Sequence, residues 1–366
     1  MAAGLFAVWL LLGWGVGGEL AVGVRRELEI GLERSSFADG KEAILELVET
    51  AQIFQEYAVE KFLGSGTGGV VFRVSKAGAR YAAKVIPDFS GFRGCEDNLV
   101  ISELAEKGVS FVNKLVEHSF ERMVFGGKRL FFCVLVLGLG SADLKNRKII
   151  EPETPENWPQ FFDFFGKLLL AYAEIHFKGG VLHGDIKPAN ILLSEDSEEL
   201  EPIIIDFDLR LDLAKTPRTN DCQLRYAARY RARELLPLSV SRGRDNQYKW
   251  RTVCNKYFYS RLFLEDVYSL GATISRLIAL NEGSVDRLHP TYLPFVSLLE
   301  KMVAKREERI TSLDALGIFL QIAAQTGSDS PAIAAVALKS AELLRLLETR
   351  TQGLIDQTEN DDSSSV

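Results

Sequence analysis

The sequence predicts an α+β fold in which strands and helices lie in different parts of the chain. Three runs, 70–74, 80–86 and 130–137, consist mainly of apolar residues, many of them β-branched or aromatic, which is typical of strands. Segments 40–57 and 331–347 instead place apolar residues at helical spacing. We therefore expect a strand-rich N-terminal part and helices near both ends of the chain.

The length and net charge of the chain indicate its domain size and which classes of partner it is expected to bind. The chain has 366 residues, of which 47% are hydrophobic, so it can bury a large core as one domain with short extensions. Its formal net charge of -7 gives no support for nucleic-acid binding, which favours a basic face. We expect a monomer that binds no nucleic acid.

The first 18 residues carry no charged side chain and are rich in leucine, valine and tryptophan. They end in small residues, as the apolar part of a secretory leader does, although no basic segment precedes them. We predict a signal peptide over 1–18, with a membrane anchor or a disordered start as alternatives. Removal of the leader would leave no stable membrane span. The expected location is the secretory pathway, either secreted or in the lumen of a secretory organelle.

The four cysteines show no C-x-x-C spacing, so a zinc site is not expected. Cys133 lies in an apolar run and is predicted to be a buried thiol. Cys222 and Cys254 lie in polar segments and are the better candidates for a disulfide in an oxidising compartment.

A glycine-rich segment precedes the first apolar run. It consists of Gly64, Ser65, Gly66, Thr67, Gly68 and Gly69. Glycines let a backbone approach phosphate oxygens without interference from a Cβ atom. A dinucleotide-binding fold would require such glycines to open a helix. Because a β-branched run follows instead, we predict a β-hairpin that can cover phosphates.

The segment His183–Leu193 places Asp185, Lys187 and Asn190 on a short loop between apolar runs. Transfer of a phosphoryl group to a hydroxyl requires a carboxylate for the hydroxyl, a cation for the moving group and oxygen ligands for magnesium. Downstream, three isoleucines precede Asp206, which predicts a buried strand that delivers a second carboxylate. The sequence therefore favours a phosphoryl-transfer site.

Lys84 is a cation within the apolar strand 80–86, and a buried lysine requires an anionic partner. The alternative is a lysine on an edge strand that points to water. Residues 95–107 have a helical pattern that places Glu96 and Glu103 two turns apart on one face. We favour Glu96 as the partner because apolar residues follow it at packing positions. Glu103 remains an alternative, and either residue can be a solvated helix acid.

In this order, the segments resemble the elements of eukaryotic-type protein kinases: G-x-G-x-x-G-x-V, the V-A-I-K strand, H-R-D-L-x-x-x-N, D-F-G and A-P-E. The resemblance covers 57–324 and implies a bilobal fold, with a small β-rich lobe and a larger, mainly helical lobe. The chain then divides into a helical extension at 19–56, a kinase domain at 57–325 with lobes at 57–137 and 141–325, and a C-terminal helix with a disordered acidic tail at 326–366.

The resemblance implies that ATP is the cofactor. The glycine-rich segment and Lys84 would position its phosphates. Leu137 would be the gatekeeper, and backbone groups near Gly138 and Gly140 would bind adenine. A buried strand without a ligand is the alternative for 130–137. The remaining residues of the implied nucleotide-binding set are Val71, Ala82, Glu96 and Leu192.

The resemblance also assigns the catalytic roles. Asp185 would orient the attacking hydroxyl, and Lys187 would steady the γ-phosphoryl group. Asn190 and Asp206 would hold Mg²⁺. The Asp-x-Lys-Pro form of the loop resembles Ser/Thr kinases, so the implied partner is a protein substrate with serine or threonine hydroxyls.

Three residues depart from the family pattern. Gly184 stands in place of the arginine in H-R-D, Asp208 in place of the glycine in D-F-G, and Arg233 in place of the proline in A-P-E. A secreted pseudokinase, acting as a nucleotide-binding scaffold or an allosteric partner, can accumulate such changes and is the main alternative to an active enzyme. The His-Gly-Asp loop with a leader also resembles secreted rhoptry-type kinases. A small-molecule kinase is disfavoured by the intact glycine-rich segment.

Other family elements make structural predictions. Asp266 resembles the aspartate at a helix start that braces the catalytic loop, and a Glu234–Arg309 ion pair is expected. The segment 237–263 is predicted to be an inserted surface segment. In the family, the arginine that Gly184 replaces binds a phosphate on the activation segment. Gly184 therefore predicts little dependence on phosphorylation there.

Overall fold

The computed structural model describes residues 22–33, 40–66, 69–88, 93–141, 144–145, 149–150, 153–194, 199–207, 211–212, 222–224, 230, 241–242, 248–252 and 259–363. They form two compact units. The first takes its described residues from Met1–Ser102 and Asn113–Leu139, and the second from Glu103–Val112 and Gly140–Val366. The first contains a five-stranded antiparallel sheet, and the second is mainly helical. The predicted α+β fold is confirmed.

The sheet of the first unit has the order β1-β2-β3-β5-β4. All neighbouring strands are antiparallel, and the three predicted strands are parts of β2, β3 and β5. Because β3 is central, its backbone groups find partners on both edges. The strands are β1 (Ala58–Gly66), β2 (Gly69–Lys76), β3 (Ala79–Asp88), β4 (Leu115–Phe125) and β5 (Lys128–Gly138).

Three helices precede the sheet and cover one of its faces. They are α1 (Val22–Glu33), α2 (Lys41–Thr50) and α3 (Gln52–Glu56). Leu28 and Leu32 of α1 are fully buried, in one core cluster with Val70, Phe72 and other residues of β2, β3 and β5. The N-terminal extension therefore belongs to the core of the first unit, where burial of each such side chain contributes about 1.5–3 kcal/mol.

The helix predicted over 40–57 is interrupted. Ala51 has an extended backbone, with ψ of 137°, and separates α2 from α3. The helix predicted over 95–107 is present as α4 (Arg93–Glu106), and the boundary between the two units lies within it, after Ser102.

The second unit is built around α5 (Trp158–Glu174), which is buried along most of its length. Its phenylalanines stack on rings from two later helices: Phe162 lies 4.4 Å from Phe319, and Phe165 lies 5.4 Å from Phe295, between ring centroids. A π-helical segment, Ile175–Gly179, continues α5. The other helices are α6 (Tyr259–Leu280), α7 (Tyr292–Met302), α8 (Ser312–Thr326) and α9 (Pro331–Ser363).

Short strands connect these helices. β6 (Val181–Leu182) pairs with β9 (Leu211–Asp212), and β7 (Ile191–Leu193) pairs with β8 (Pro202–Ile204). A further sheet has the order β10-β12-β11, from β10 (Cys222–Leu224), β11 (Ser241–Arg242) and β12 (Tyr248–Thr252). The segment 237–263, predicted only as an insertion, thus contains β11, β12 and the first turn of α6.

The C-terminal helix is longer than expected. It was predicted over 331–347, with a disordered tail from residue 356, but α9 continues through Ser363. Once its first turns are docked, each added residue costs little, because nucleation is the costly step of helix formation. No proline follows Pro331 to stop it.

One prediction about the cysteines is wrong. Cys133 is 1% exposed, as expected for a residue of β5, but it is disulfide-bonded and not a free thiol. Burial alone does not distinguish a thiol from a disulfide sulfur, since both are apolar. The proposed pairing of Cys222 with Cys254, and the leader at 1–18, lie outside the described side chains. No helix in the described ranges is long and apolar enough to cross a membrane.

Candidate active site

The loop His183–Asn190 is held at both ends by short strands. Before it, β6 pairs with β9, and after it, β7 pairs with β8. Val181 and Ile191, which flank the loop, are almost fully buried. The prediction of a short polar loop between buried apolar runs is therefore confirmed, and its backbone is fixed by the strands around it.

Asp185 is the centre of this loop and is only 6% exposed. Its Oδ2 accepts hydrogen bonds from Lys187 Nζ and, at 3.0 Å, from Asn190 Nδ2. Asn190 Nδ2 also donates to the main-chain oxygen of Asp185, at 2.9 Å. Asp185 Oδ1 is buried and has no hydrogen-bond partner among the described residues. A buried polar atom of this kind is expected to receive a partner from a ligand.

The surroundings of Asp185 make it a stronger base. Burial raises the pKa of its carboxyl group, and the nearby negative charge of Asp206 raises it further. The Lys187 ammonium acts in the opposite direction by charge and by hydrogen bonding. The net pKa is above the ordinary value, which suits a group that must accept a proton from a hydroxyl.

Asn190 and Asp206 lie at the joined ends of β7 and β8. The register pairs Ile191 with Ile204, and the N–H of Ile205 donates to the main-chain oxygen of Asn190 at 3.1 Å. Asp206 follows with φ of 69°, a left-handed conformation that a non-glycine residue rarely adopts. The strand predicted from the three isoleucines is present, and it brings the two expected metal ligands to one end of a hairpin.

His183 links the loop to the segment that carries Asp206. Its Nδ1 accepts from the N–H of Asp185 at 3.3 Å, which leaves Nε2 to donate to the main-chain oxygen of Ile205 at 3.2 Å. Its ring also packs against Phe207, with centroids 4.6 Å apart. The histidine is therefore a bridge inside the fold, and its ring nitrogens are both engaged.

Asp266 fixes the loop from behind. Its carboxylate is fully buried and accepts the N–H groups of His183 at 2.7 Å and Gly184 at 3.0 Å. The predicted brace is present, but its position in the helix was wrong, since α6 begins at Tyr259 and Asp266 lies inside it. Gly184 has φ of 78°, where glycine is the least strained residue.

Two members of this network were missed from the sequence. His176 Nε2 lies 3.0 Å from Asp266 Oδ2, and its Nδ1 lies 2.8 Å from Ser312 Oγ. No spacing rule connects these residues, because His176 and Asp266 are 90 positions apart and His176 and Ser312 are 136 apart. Only the packing of α5, α6 and α8 brings them together.

In the first unit, the glycine-rich segment is the turn of the β1–β2 hairpin, as predicted. The register pairs Gly64 with Val71, Ser65 with Val70 and Gly66 with Gly69. Thr67 and Gly68 lie outside the described residues. A Cβ atom at Gly69, where φ is 143°, would lie 2.4 Å from the carbonyl oxygen of Val85, whereas a Cβ at Gly64 would meet nothing. Packing therefore explains Gly69, whereas the space beside Gly64 is open.

Lys84 lies in the central strand β3 and is 9% exposed, so the edge-strand alternative is wrong. Its pairing partners are Val71 in β2 and Leu135 in β5, while Ala82 pairs with Leu137. Lys84 and Ala82 share one face of β3, because side chains alternate along a strand. The opposite face packs on α1–α3. Four residues of the expected nucleotide-binding set therefore lie on neighbouring strands of one sheet: Val71, Ala82, Lys84 and Leu137.

The choice of glutamate partner stays a prediction. Both Glu96 and Glu103 are on α4, but the side chain of Glu96 is not among those described. At the end of β5, the N–H of Gly138 donates to the main-chain oxygen of Lys114 at 2.9 Å, so it is already engaged. In the second unit, Gly140 packs against Leu192, where an added Cβ would lie 2.9 Å from the leucine Cβ.

A model of the protein kinase domain family matches residues 57–282. The chain belongs to the protein kinase family. The match and the resemblance described above both begin at Tyr57. The match includes every residue of the expected active site. A comparison with curated proteins finds no match. Kinase-family membership implies ATP, usually with Mg²⁺, and a protein substrate.

The kinase site has the donors that a nucleotide-borne magnesium ion requires. Among the described residues, no cluster of three or more histidine, cysteine or acidic side chains forms a metal cage. Mg²⁺ in kinases does not need one, because one or two carboxylates and the substrate phosphates supply its oxygens. Asn190 and Asp206 offer an amide oxygen and a carboxylate, which fits this arrangement.

Asp208, Arg233 and Glu234 lie outside the described residues, and so does the Glu234–Arg309 pair. Arg309 itself is 5% exposed, and it donates to the main-chain oxygens of Leu264 and Ala304.

Proposed function

We propose that this protein is an active ATP-dependent Ser/Thr kinase, which transfers the γ-phosphoryl group of ATP to serine and threonine hydroxyls of proteins. The observation that carries the proposal is the burial and hydrogen bonding of the Asp185 carboxylate. One carboxylate oxygen is held by Lys187 and Asn190, and the other is buried without a described partner. A scaffold would gain nothing from a buried, unsatisfied carboxylate oxygen, which costs about 1–3 kcal/mol.

Each group has a distinct task in this proposal. Bound Mg·ATP supplies the phosphoryl group and neutralises its charge. Asp185 Oδ1 accepts the hydrogen bond of the substrate hydroxyl and then its proton, which its raised pKa favours. Lys187 is close enough to Asp185 to steady the transferring group beside it. Asn190 and Asp206 hold the metal, and Lys84 with the glycine-rich turn positions the phosphates.

The test compares wild type with Asp185→Asn in a phosphate-transfer assay, with labelled Mg·ATP and a generic protein substrate. Glu300→Gln, an exposed carboxylate on α7, is the matched control. We expect the Asn variant to lose about 10²–10⁴ in rate, as loss of a general base does, with label on serine and threonine. Equal background from wild type and Asp185→Asn would support the pseudokinase, and label on tyrosine would contradict the Ser/Thr assignment.

We also propose that the kinase enters the secretory pathway. Two features support this: the uncharged apolar segment 1–18, and the disulfide at Cys133, since disulfides persist in oxidising compartments. Expression of the full chain in secretory cells, followed by N-terminal sequencing, tests it. A start near residue 19 in the medium or in a secretory organelle is expected. An intact Met1 on a protein that stays in the cytosol would refute it.

A further inference from the structure

The turn after α4 is part of the second unit and is held there by side chains of that unit. We call residues Gly108–Val112 the anchored turn; they belong to the second unit although β4 follows them in the first. The N–H of Ser110 donates to Glu174 Oε2 at 2.6 Å, in a buried position. Lys178 Nζ donates to the main-chain oxygen of Gly108 at 2.7 Å. Both partners lie at the end of α5 and in the π-helical segment, so this helix end holds the turn.

The backbone of the anchored turn is strained at one residue. Phe111 has φ of 61°. In the described part of the chain, the only other non-glycine residues with positive φ are Ala77, in the β2–β3 turn, and Asp206. A bulky residue in this conformation is destabilising and persists only where its surroundings hold it.

The two strained residues Phe111 and Asp206 are connected through β8. The N–H of Ile204 donates to the main-chain oxygen of Phe111 at 2.7 Å, and Val112 forms a parallel bridge with Ile204. Asp206 follows Ile204 by two residues. The anchored turn is therefore bonded directly to the strand that precedes the expected metal-binding carboxylate.

The C-terminal helix contacts this turn directly. Lys339 Nζ on α9 donates to Ser110 Oγ at 2.9 Å and lies 5.6 Å from the centre of the Phe111 ring, within the range of a cation–π interaction. Buried Ile333, Val336 and Leu343 seat α9 in the second unit. Residues 331–363 lie beyond the family match at 57–282.

We propose that α9 is a brace for the metal-binding end of the active site, with Lys339 as its positioning residue. Lys339 holds Ser110 and Phe111 in the strained turn, and the turn holds β8 and Asp206 through Ile204. The brace rests on the proposed function, because it assigns Asp206 to the magnesium of the ATP complex. Lys339 touches no substrate and acts only through these contacts.

The test compares Lys339→Met with wild type, with Lys339→Arg as the conservative variant and Arg345→Met as the matched control. Lys339 and Arg345 are both exposed cations on α9, and they differ in that Lys339 contacts the anchored turn. Three quantities are measured. They are the amide exchange of a peptide over 200–207, the Mg²⁺ concentration for half-maximal ATP binding, and the Mg²⁺ concentration for half-maximal phosphate transfer.

For Lys339→Met we expect exchange over 200–207 to be faster and the Mg²⁺ requirement to be higher, each by about three- to tenfold, as loss of one charge-assisted hydrogen bond implies. Lys339→Arg and Arg345→Met are expected to behave as wild type does. Unchanged exchange in Lys339→Met, an equal effect of Arg345→Met, or no rescue by arginine would overturn the brace. Faster exchange with an unchanged Mg²⁺ requirement would overturn its link to Asp206.

The exchange and ATP-binding measurements need no phosphate transfer. If wild type binds Mg·ATP but transfers nothing, the proposed function fails, and these two measurements still decide on the brace. If Lys339→Met leaves both unchanged in an active enzyme, the brace fails and the proposed function stands.

Discussion

The side-chain amide of Asn190 donates to both the main-chain oxygen and Oδ2 of Asp185, at 2.9 and 3.0 Å. One residue expected to hold the metal thereby also orients the residue expected to receive the substrate hydroxyl. The amide group can do both because its nitrogen donates while its oxygen stays available as a ligand. In the proposed mechanism, metal binding and proton acceptance would thus depend on side chains of the same loop.

Replacement of Asn190 tests this double role. We expect Asn190→Ala to lower kcat/KM by about 100-fold, since it removes a metal ligand and frees the Asp185 side chain. Asn190→Asp keeps an oxygen ligand but cannot donate to Asp185, so it should retain metal binding and still lose rate. Initial rates over a Mg²⁺ titration separate the two effects. A wild-type rate in Asn190→Ala at all Mg²⁺ concentrations would contradict both roles.

The pH dependence of the rate should respond to Lys187. Burial raises the pKa of Asp185, and Lys187 lowers it. Removal of the cation in Lys187→Met should therefore move the acid limb of the kcat/KM profile to higher pH, in addition to reducing the rate. Lys301→Met, on α7, is the control. An acid limb that stays in place or moves to lower pH would show that another group limits the rate.

The same raised pKa affects stability. Because the folded-state pKa of Asp185 lies above the unfolded-state value, the folded state binds the proton more tightly. Its contribution to stability is fully present below the unfolded-state pKa and is lost as pH rises through the folded-state pKa. Asp185→Asn should remove this pH dependence. Denaturant unfolding of both proteins between pH 4 and pH 8 measures the free energy of unfolding at each pH. If this free energy varied with pH in the same way in both proteins, Asp185 would not make the expected contribution.

Activity should not require phosphorylation of the activation segment. Gly184 has no side chain to bind a phosphate there, and Asp266 already fixes its backbone N–H. We expect the double variant Thr216→Ala, Thr219→Ala to keep the wild-type kcat, measured on protein that mass spectrometry shows to be unphosphorylated. A collapse of the rate, restored by phosphomimetic Thr216→Glu, would show that another group binds the phosphate.

Two glycines of α1 test whether the N-terminal extension is part of the core. A Cβ at Gly31 would lie 2.5 Å from the Phe62 ring, whereas a Cβ at Gly23 would meet nothing within 4 Å. We expect Gly31→Ala to lower the free energy of unfolding by about 1–3 kcal/mol through overpacking. Gly23→Ala should be neutral or raise it by up to about 1 kcal/mol, as helix propensity predicts. Equal effects in denaturant unfolding would mean that α1 does not pack on β1.

The local sequence was sufficient for the elements that carry the chemistry. The hairpin at Gly64–Gly69, the burial of Lys84 in a strand and the strand that precedes Asp206 were all predictable. Each depends on residues that are neighbours in the chain, through side-chain alternation and through the absence of a Cβ in glycine. The departures at Gly184 and Asp208 were also visible without a structure.

Other features depended on contacts between distant segments. No local pattern indicated that α1 would cover the sheet, that Cys133 would be disulfide-bonded, or that Lys339 would reach Ser110, 229 positions away. Asp266 was recognised only by family resemblance, and its place inside α6 was not foreseen. The sequence by itself determined which residues are candidates for phosphoryl transfer. Tertiary packing decided how each is held, because the burial and hydrogen bonds that fix them come from residues far apart in the chain.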